Sequence, residues 1–137
     1  MRPDWDTYFM NIADVVRTRS LDFQKVGAVL VSCDDNRIIS TGYNGVRSGL
    51  DDSKIDWNDR SFVSDVIIHA ETNAILYAQS KFENATLYST HSPCKTCIKL
   101  LSATNIKKIV YKEEHKDIAQ VKDLCNYYSI EMMQYCV

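Results

Sequence analysis

Two short motifs constrain the fold of this chain more than any other feature. His69 and Glu71 stand at the start of one predicted helix. Pro93, Cys94 and Cys97 stand at the start of another, where proline is tolerated because the first amides of a helix have no intrahelical partner. If the histidine and the cysteines share one metal ion, the fold must bring two helix N-termini to one point.

The residue types in these motifs suit zinc. Histidine nitrogen and cysteine thiolate bind zinc in tetrahedral geometry, and a catalytic site leaves the fourth position for water. His69, Cys94 and Cys97 supply three ligands, with both sulfurs on one side of a helical turn. The positive helix end favours thiolates. Zinc lowers the pKa of a bound water from about 16 to about 7, and the unligated Glu71 can accept that proton and return it to a leaving group.

Each motif alone has a simpler interpretation. A lone C-x-x-C in a mixed α/β protein can be a redox pair, and a lone H-x-E can begin an ordinary amphipathic helix. A structural zinc site needs a fourth protein ligand, for which His91 is the nearby candidate. The combined pattern of H-x-E followed by P-C-x-x-C is the established signature of zinc deaminases, in which the glutamate is not a ligand. The two motifs together therefore favour hydrolytic deamination.

Length and composition favour one catalytic domain. The chain has 137 residues, of which 45% are hydrophobic and 25% are charged, and we expect one domain over residues 1–137. The longest apolar run, Val26–Val31, is too short to span a bilayer, and the charged N-terminus is unlike a signal peptide. Five irregularly spaced cysteines suit a reducing compartment. We therefore predict a cytoplasmic protein, in the host cytoplasm if it is viral, in which Cys33, Cys125 and Cys136 serve packing.

The charge pattern argues against a nucleic-acid duplex as partner. The net charge is −2 and the chain contains no run of lysine and arginine. Binding to a duplex depends on neutralising its phosphates, so a small-molecule substrate is the better hypothesis.

The N-terminal half predicts a helix, a hairpin and a long loop. Segment 4–20 predicts a helix that begins near Asp4 or Asp6. Two β-rich runs flanking residues 34–36 predict a hairpin, and the polar stretch 45–65 predicts a long loop. The apolar face of the helix is predicted to hold Tyr8, Phe9, Ile12, Val15 and Val16.

The remaining segments complete a mixed sheet. Helices are predicted over residues 69–80, 94–104 and 116–127, and strands over 85–91, 107–111 and 130–135. The resulting order α-β-β-α-β-α-β-α-β implies an α/β fold in which helices cover the faces of a mixed sheet.

Nearly the whole chain resembles the dCMP deaminases of the cytidine deaminase superfamily. The matching stretches include RPDWDTYFMNIADVVRTRS, KVGAVLV, TGYNGVRSG, HAETNAI, LYSTHSPCKTC and IKKIVYKEEHKD. The resemblance implies a three-layer α-β-α sandwich with a central mixed five-stranded sheet. It also implies hydrolysis of dCMP to dUMP and ammonia, which feeds thymidylate synthesis. One catalytic Zn2+ per chain would be held by His69, Cys94 and Cys97, with Glu71 as the proton carrier.

The resemblance also assigns residues around the substrate. Ala70 would offer its backbone amide to the cytosine O2. Asn44 would bind the sugar 3′-hydroxyl, although an Asn-Gly pair is also a common turn. Lys25 and His115 stand where related proteins have groups near the 5′-phosphate, and Val26 is predicted to contact the substrate. A solvated charge at a strand start is the alternative interpretation of Lys25.

Regulation is implied by the same resemblance. Such enzymes are usually activated by dCTP and inhibited by dTTP, and we expect a hexamer. The effector would bind the 45–65 loop together with Mg2+, which prefers oxygen ligands. The candidate effector residues are Arg47, Asp51, Asp52, Lys54 and Arg60. For each of these charges alone, solvation on a surface loop is the simpler interpretation.

The chain departs from the family pattern at one metal site. Many relatives hold a second, structural zinc through a cysteine in the stretch written here as RSLDFQK and through further ligands in the long loop. This chain has Leu21 and Asp22 in that stretch, and it has no cysteine or histidine between Cys33 and His69. We therefore expect the second site to be missing.

Several related activities remain as alternatives. The zinc site would also serve a deaminase of dCTP, of a 5-modified dCMP, of the nucleoside cytidine or of tRNA adenosine. A catalytically idle nucleotide-binding relative is a further alternative, which the retention of Glu71 disfavours. The net charge of −2 and the GYNG stretch disfavour tRNA as the substrate.

Overall fold

Within residues 1–79 and 82–136, which the computed structural model describes, the chain forms a five-stranded sheet. The strands are β1 (Gly27–Ser32), β2 (Ile38–Tyr43), β3 (Ala85–His91), β4 (Ile106–Glu113) and β5 (Glu131–Gln134). Their spatial order is β2-β1-β3-β4-β5. β1 pairs antiparallel with β2 and β3, whereas the β3–β4 and β4–β5 pairs are parallel. The predicted mixed sheet is confirmed.

Helices cover both faces of this sheet. They are α1 (Trp5–Arg17), α2 (Arg60–Val66), α3 (Ala70–Leu76), α4 (Lys95–Ser102) and α5 (Ile118–Tyr128), with a 3-10 turn at Asp52–Lys54. Because successive side chains of a strand point to opposite faces, Val29 and Val31 pack with α1 through Phe9. Ala28 and Leu30 join the core formed with α3, α4 and α5. The predicted three-layer α-β-α sandwich is confirmed.

The buried face of α1 differs from the predicted one. Phe9, Met10 and Ala13 are its buried residues, whereas the predicted core residues Tyr8 and Val15 are 42% and 69% exposed. The helix turns a face centred on Phe9 and Ala13 toward the sheet, so the predicted face was rotated away from the observed one and left out Met10 and Ala13. The predicted Ile12 and Val16 pack at the edge of this core. The predicted cap at Asp4 is confirmed, because its side chain accepts a hydrogen bond from Thr7 N.

The predicted loop 45–65 was wrong in part, because helix α2 begins inside it at Arg60. The Asp59 side chain caps this helix by accepting a 3.2 Å hydrogen bond from Phe62 N. Val63 is 1% exposed and anchors the helix. A polar segment with one buried residue has little helical periodicity, so tertiary burial decides its structure. Gly45 and Ile68 join the two ends of the segment through paired backbone hydrogen bonds.

Other predicted boundaries differ by a few residues. Helix α3 ends at Leu76, and the predicted end at Ser80 lies outside the described residues. Cys94 serves as the N-cap of α4. Of the cysteines predicted to serve packing, Cys125 is buried, but Cys33 and Cys136 are exposed. These two were predicted wrongly, because Cys33 follows the end of β1 and Cys136 follows the end of the edge strand β5.

No helix in the described part of the chain is long and apolar enough to cross a bilayer. The longest helix, α1, has 13 residues, whereas a transmembrane helix needs about 20 predominantly apolar residues.

Candidate active site

The N-termini of α3 and α4 meet at a group of three ligand-type side chains. His69 is the N-cap of α3 and Cys94 is the N-cap of α4. His69 Nδ1 lies 3.0 Å from Cys97 Sγ and 3.6 Å from Cys94 Sγ. The ligand atoms of the three residues all lie within 4.8 Å of one another. The structure thus brings together the three residues that the sequence predicts as zinc ligands.

The electrostatics of this group suit a metal cation. Hydrogen bonds from Cys97 and His69 lower the pKa of the Cys94 thiol to about 3. The pKa of Cys97 is raised because its thiol donates a hydrogen bond to Cys94 and because it is buried. These opposite shifts favour the thiolate form at Cys94. One imidazole nitrogen beside two sulfurs is a donor set that fits zinc, with room for a non-protein ligand at the fourth position.

His91 does not complete the group as a fourth protein ligand. Its Nε2 lies 2.9 Å from Glu113 Oε2 and its Nδ1 lies 3.0 Å from Thr90 Oγ1. Burial lowers the pKa of His91, which favours the neutral ring. Both ring nitrogens are therefore engaged elsewhere. In the described part of the chain, the group of His69 and the two cysteines stands alone as a cluster of at least three metal-ligand side chains.

Glu71 lies beside the ligand group without belonging to it. Its side chain is in the first turn of α3 and is 4% exposed. The carboxylate accepts a hydrogen bond from Ser89 Oγ at 3.2 Å. Burial raises the pKa of Glu71, with partial compensation by hydrogen bonds and the nearby His69. A buried carboxyl group with a raised pKa is suited to hold and release a proton.

A cavity of about 270 Å³ opens onto these residues. Its lining includes His69, Cys94, Glu71 and Ala70. Its volume is close to the lower end of the range for small-molecule sites. The predicted substrate residues Val26, Asn44 and His115 also line it.

Asn44 holds the segment that precedes β1. Its Oδ1 accepts a hydrogen bond from Val26 N at 2.8 Å, and its Nδ2 donates to the Gln24 carbonyl at 2.8 Å. The residue is 6% exposed and still lines the cavity. Asn44 is therefore more than a turn residue, because it fixes the segment before β1 and also lines the cavity. The predicted contact with a sugar hydroxyl stays a prediction.

The two predicted phosphate residues have different positions. His115 lines the cavity, and its Nδ1 lies 2.6 Å from Asp117 Oδ1. Lys25 is exposed and is not among the cavity-lining residues. Its Nζ donates instead to the Ser20 carbonyl. The structure therefore does not bring Lys25 to the cavity.

The five predicted effector residues do not form one group. Arg60 lines the cavity, where its Nη1 donates to Asp22 Oδ1 at 2.9 Å. Arg47, Asp51, Asp52 and Lys54 are absent from the described lining of that cavity. Their contacts are local: Arg47 donates to the Ser48 carbonyl, and Asp51 accepts from Ser53 N and lies 4.0 Å from Lys54 Nζ.

Sequence reasoning missed the contributions of Asp22 and Ser89 to the site, and it predicted Arg60 as an effector residue rather than as part of the cavity. Asp22 and Arg60 line the cavity, and Ser89 contacts Glu71. The one local signal was Asp59 before Arg60, which is typical of a helix N-cap. No spacing in the sequence links Asp22 to Arg60.

Residues 3–113 match the family described as the cytidine and deoxycytidylate deaminase zinc-binding region. The chain belongs to this family. The matched range includes Glu71 and the three ligand-type residues, whereas His115 lies just beyond it. Membership makes the chain a hydrolytic deaminase of the zinc-binding type. The resemblance inferred from the sequence is confirmed.

Named relatives show how far this similarity extends. The deaminase is 39% identical over 127 residues to the deoxycytidylate deaminase of Mycobacterium phage D29, covering 82% of this chain and 98% of that protein. It is 36% identical to the deoxycytidylate deaminase of Saccharomyces cerevisiae over 126 residues, covering 85% of this chain but only 40% of the yeast protein. It therefore spans nearly the full phage protein and less than half of the yeast protein.

A solved structure shares the fold over almost the whole length. The dCMP deaminase of the cyanophage S-TIM5, solved in complex with dCMP and dUMP, has a TM-score of 0.79 and 25% sequence identity. The similarity covers 98% of this deaminase and 99% of that chain.

Proposed function

We propose that this protein converts dCMP to dUMP and ammonia by zinc-dependent hydrolysis, as a step toward thymidylate synthesis. The observation that carries the proposal is the three-ligand group, whose ligand atoms lie within 4.8 Å of one another, beside a cavity that also holds the unligated Glu71. The names of the phage and yeast relatives and the nucleotides bound in the cyanophage structure support dCMP as the substrate.

The proposed metal site uses His69, Cys94 and Cys97. Zinc bound there would activate a water molecule by lowering its pKa and would leave Glu71 free for proton transfer. His69 contributes Nδ1, which is the ring nitrogen that faces both sulfurs. Cys94 contributes a side chain that favours the thiolate, because its pKa is lowered to about 3.

Glu71 would carry the protons of the reaction. Its carboxylate is buried, and Ser89 orients one of its oxygens. In this position it would take a proton from the attacking water and deliver it to N3 of the pyrimidine. It would then take the proton of the new hydroxyl at C4 and deliver it to the departing amine, so that two protons are taken up and two are released. Burial raises the pKa of Glu71, which favours the protonated form that two of these steps require.

The base and the sugar would be held by the rest of the cavity. Ala70 is the first residue of α3, and the first amides of a helix have no intrahelical acceptor. Its N–H would donate to the cytosine O2. Asn44 and Val26 line the same cavity and are hydrogen-bonded to each other. The side chain of Asn44, held by this bond, would bind the sugar 3′-hydroxyl.

A comparison of substrates distinguishes dCMP deamination from the alternative activities. Zinc-loaded protein is assayed for ammonia release from dCMP, dCTP, a 5-modified dCMP, deoxycytidine and a tRNA anticodon stem. We expect the highest kcat/KM for dCMP. A higher kcat/KM for any other substrate would replace dCMP in the proposal, and no release from any of them would support a catalytically idle relative.

We propose in addition that dCTP activates and dTTP inhibits the enzyme through the 45–65 segment of a hexamer. The support is the family resemblance together with the position of the segment, which follows Asn44 and is tied to Ile68 beside His69. Arg47 and Lys54 would contact the triphosphate, and Asp51 and Asp52 would contact Mg2+. Arg60, the third predicted triphosphate partner, lines the substrate cavity instead. Reordering of this segment would then reach Asn44 and His69, which both line the cavity.

Saturation curves test the regulation. Coupling of about 1 to 3 kcal/mol changes apparent dCMP affinity by about 5- to 150-fold, and dCMP must change effector affinity by the same factor. We expect such shifts with dCTP or dTTP plus Mg2+, and a hexameric mass by light scattering. Hyperbolic curves that neither nucleotide changes, from a monomer, would refute the regulation and leave the zinc chemistry intact.

We also propose that residues 1–137 act as one catalytic domain in the cytoplasm. All five cysteines are free thiols, as is usual in a reducing compartment. Limited proteolysis that leaves the whole chain resistant, and fractionation of expressing cells, test the two parts of this proposal.

A further inference from the structure

We propose that Arg60 binds the 5′-phosphate of the substrate and that Asp22 holds Arg60 in position, so that this pair sets the preference for a nucleotide over a nucleoside. The inference rests on the proposed function and names the residues that select the monophosphate. Arg60 contacts substrate in this proposal, whereas Asp22 is a positioning residue.

Arg60 is the permanent positive charge of the described cavity lining that can bind a phosphate. Among the described residues that line it, Arg60 is the one arginine or lysine, and a guanidinium keeps its charge at all physiological pH values. The histidines of the lining have other partners. His69 belongs to the metal group, His91 is bound by Thr90 and Glu113, and His115 is bound by Asp117.

One edge of the Arg60 guanidinium is fixed by the protein. Its Nη1 donates to Asp22 Oδ1 at 2.9 Å and to the Trp57 carbonyl at 2.9 Å. Its central carbon lies 4.6 Å from the centre of the Phe23 ring, a distance at which a cation is attracted to an aromatic face. These contacts hold the planar group in one orientation before any ligand arrives.

The other edges of the guanidinium remain available. Nη1 uses its two hydrogens on Asp22 and Trp57, while Nε and Nη2 make no hydrogen bond to any residue that the structure describes. The Arg60 side chain is 50% exposed. Three N–H donors in a fixed fork match the oxygens of a phosphate, and hydrogen bonds of this charge-assisted kind are short and strong.

Asp22 connects the proposed phosphate residue to the proposed sugar residue. Its side chain is 9% exposed, and its Oδ1 also accepts a hydrogen bond from Phe23 N at 2.8 Å. Its Oδ2 lies 3.5 Å from Asn44 Nδ2. Because a buried carboxylate repels a phosphate, the phosphate must bind on the side of Arg60 that faces away from Asp22. One anchor thus sets the spacing between the groups that would meet the sugar 3′-hydroxyl and the 5′-phosphate.

Lys25 is the competing cation for this role. It was predicted from the family resemblance, but it is exposed and its ammonium donates to the Ser20 carbonyl. Arg37 is a suitable control, because its side chain is 84% exposed and pairs with Asp35 in the β1–β2 hairpin. Substitution of each cation by glutamine removes one charge and keeps a similar length.

The test compares dCMP with deoxycytidine, which lacks the phosphate. Zinc-loaded wild type, R60Q, R60K, D22N, K25Q and R37Q are assayed for kcat/KM on both substrates. We expect R60Q to lose about ten- to a hundredfold on dCMP and to keep its value on deoxycytidine. R60K restores part of the loss, D22N raises KM for dCMP with little change in kcat, and K25Q and R37Q match wild type.

Binding of the products gives a readout that does not depend on turnover. Calorimetry on the same proteins compares dUMP with deoxyuridine, and R60Q should weaken dUMP binding alone. The double variant R60Q/D22N should bind dUMP no more weakly than R60Q, because Asp22 acts through Arg60. Thermal unfolding of D22N separates a loss of positioning from a loss of folded protein.

The outcomes separate this inference from the proposed function. If wild type fails to deaminate dCMP, the proposed function is wrong, and the dUMP and deoxyuridine affinities still decide the role of Arg60. If R60Q keeps the wild-type preference for the nucleotide, or loses equally on both ligands, the inference is wrong. If K25Q, rather than R60Q, lost activity on dCMP alone, Lys25 would be the residue that binds the phosphate. An unchanged preference in folded D22N would remove Asp22 from the proposal.

Discussion

Ser89 donates a hydrogen bond to Glu71 across 3.2 Å, and this contact joins the central strand β3 to the first turn of α3. Ser89 is 0% exposed and Glu71 is 4% exposed. The orientation of the carboxylate is therefore set by the sheet as well as by its own helix. The contact gives Glu71, the proposed proton carrier, a fixed position beside the three ligand-type residues.

Replacement of Glu71 by glutamine tests its proposed role directly. Glutamine keeps the shape of the side chain but cannot carry a proton. Since general acid–base catalysis contributes about 10² to 10⁴ in rate, dCMP turnover should fall by at least that factor. Zinc content, measured by atomic emission, should stay at the wild-type level because Glu71 lies outside the ligand group. Near-normal turnover in a zinc-loaded variant would show that Glu71 is not the proton carrier.

Ser89→Ala should give a smaller loss than the Glu71 substitution. The variant keeps the carboxylate and removes one hydrogen bond to it, an interaction worth about 1.5 to 3 kcal/mol with a charged partner. We expect kcat for dCMP to fall by roughly ten- to a hundredfold. Ser102→Ala is the matched control, because that hydroxyl donates to the Lys99 carbonyl on α4. Equal activity in the two variants would mean that the Ser89 hydrogen bond does not position Glu71.

Metal analysis should find about one zinc per chain. His69→Ala removes the one nitrogen ligand of the group, so this variant should lose the metal and with it the turnover. Cys33→Ser is the control, because Cys33 is an exposed thiol and its loss should leave the zinc bound. Two tightly held zinc ions per wild-type chain would contradict this prediction and would require a second ligand set.

Gly42→Ala should destabilise the protein and impair the site. A methyl group at position 42 would lie 2.4 Å from the Ala70 carbonyl oxygen and 2.5 Å from Ala74 N. Both atoms belong to the backbone of α3, so the helix must shift, and overpacking of this kind costs about 1 to 3 kcal/mol in the free energy of unfolding. Denaturant titration measures the loss.

Gly45→Ala is the matched control for this substitution. An added methyl group there meets the Tyr43 ring at 3.3 Å, and a side chain can move aside more easily than a helix backbone. If both glycine variants unfolded at the same denaturant concentration as wild type, the close approach of α3 to β2 would not matter for stability.

Most of the fold was predictable because its signals are local. The hairpin between β1 and β2 follows from residues 34–36, and the α1 cap follows from Asp4 within one turn of its partner Thr7. The extent of burial on α1 was not predictable in the same way. Tyr8 and Val15 belong to the predicted apolar face but are exposed, because the side of the helix that is buried depends on how the helix lies on the sheet.

The sequence by itself determined the chemistry of the metal group. Cys94 and Cys97 are three residues apart, so their spacing sets both sulfurs on one side of a helical turn, and Glu71 follows His69 by two residues at the start of another helix. One histidine and two cysteines are a ligand set that suits zinc. A free carboxylate beside such a site suits proton transfer from a zinc-bound water.

Only the tertiary structure decided which charges face the cavity. Asp22 and Arg60 lie 38 positions apart in the chain and meet at 2.9 Å, whereas Lys25, with an equal formal charge, points its ammonium at the Ser20 carbonyl. Sequence spacing predicts neighbours within a turn or a hairpin, but a contact between distant segments depends on how the packed core orients them. Val63 shows the physical reason, because its burial sets helix α2 against the core and thereby brings Arg60 to the cavity.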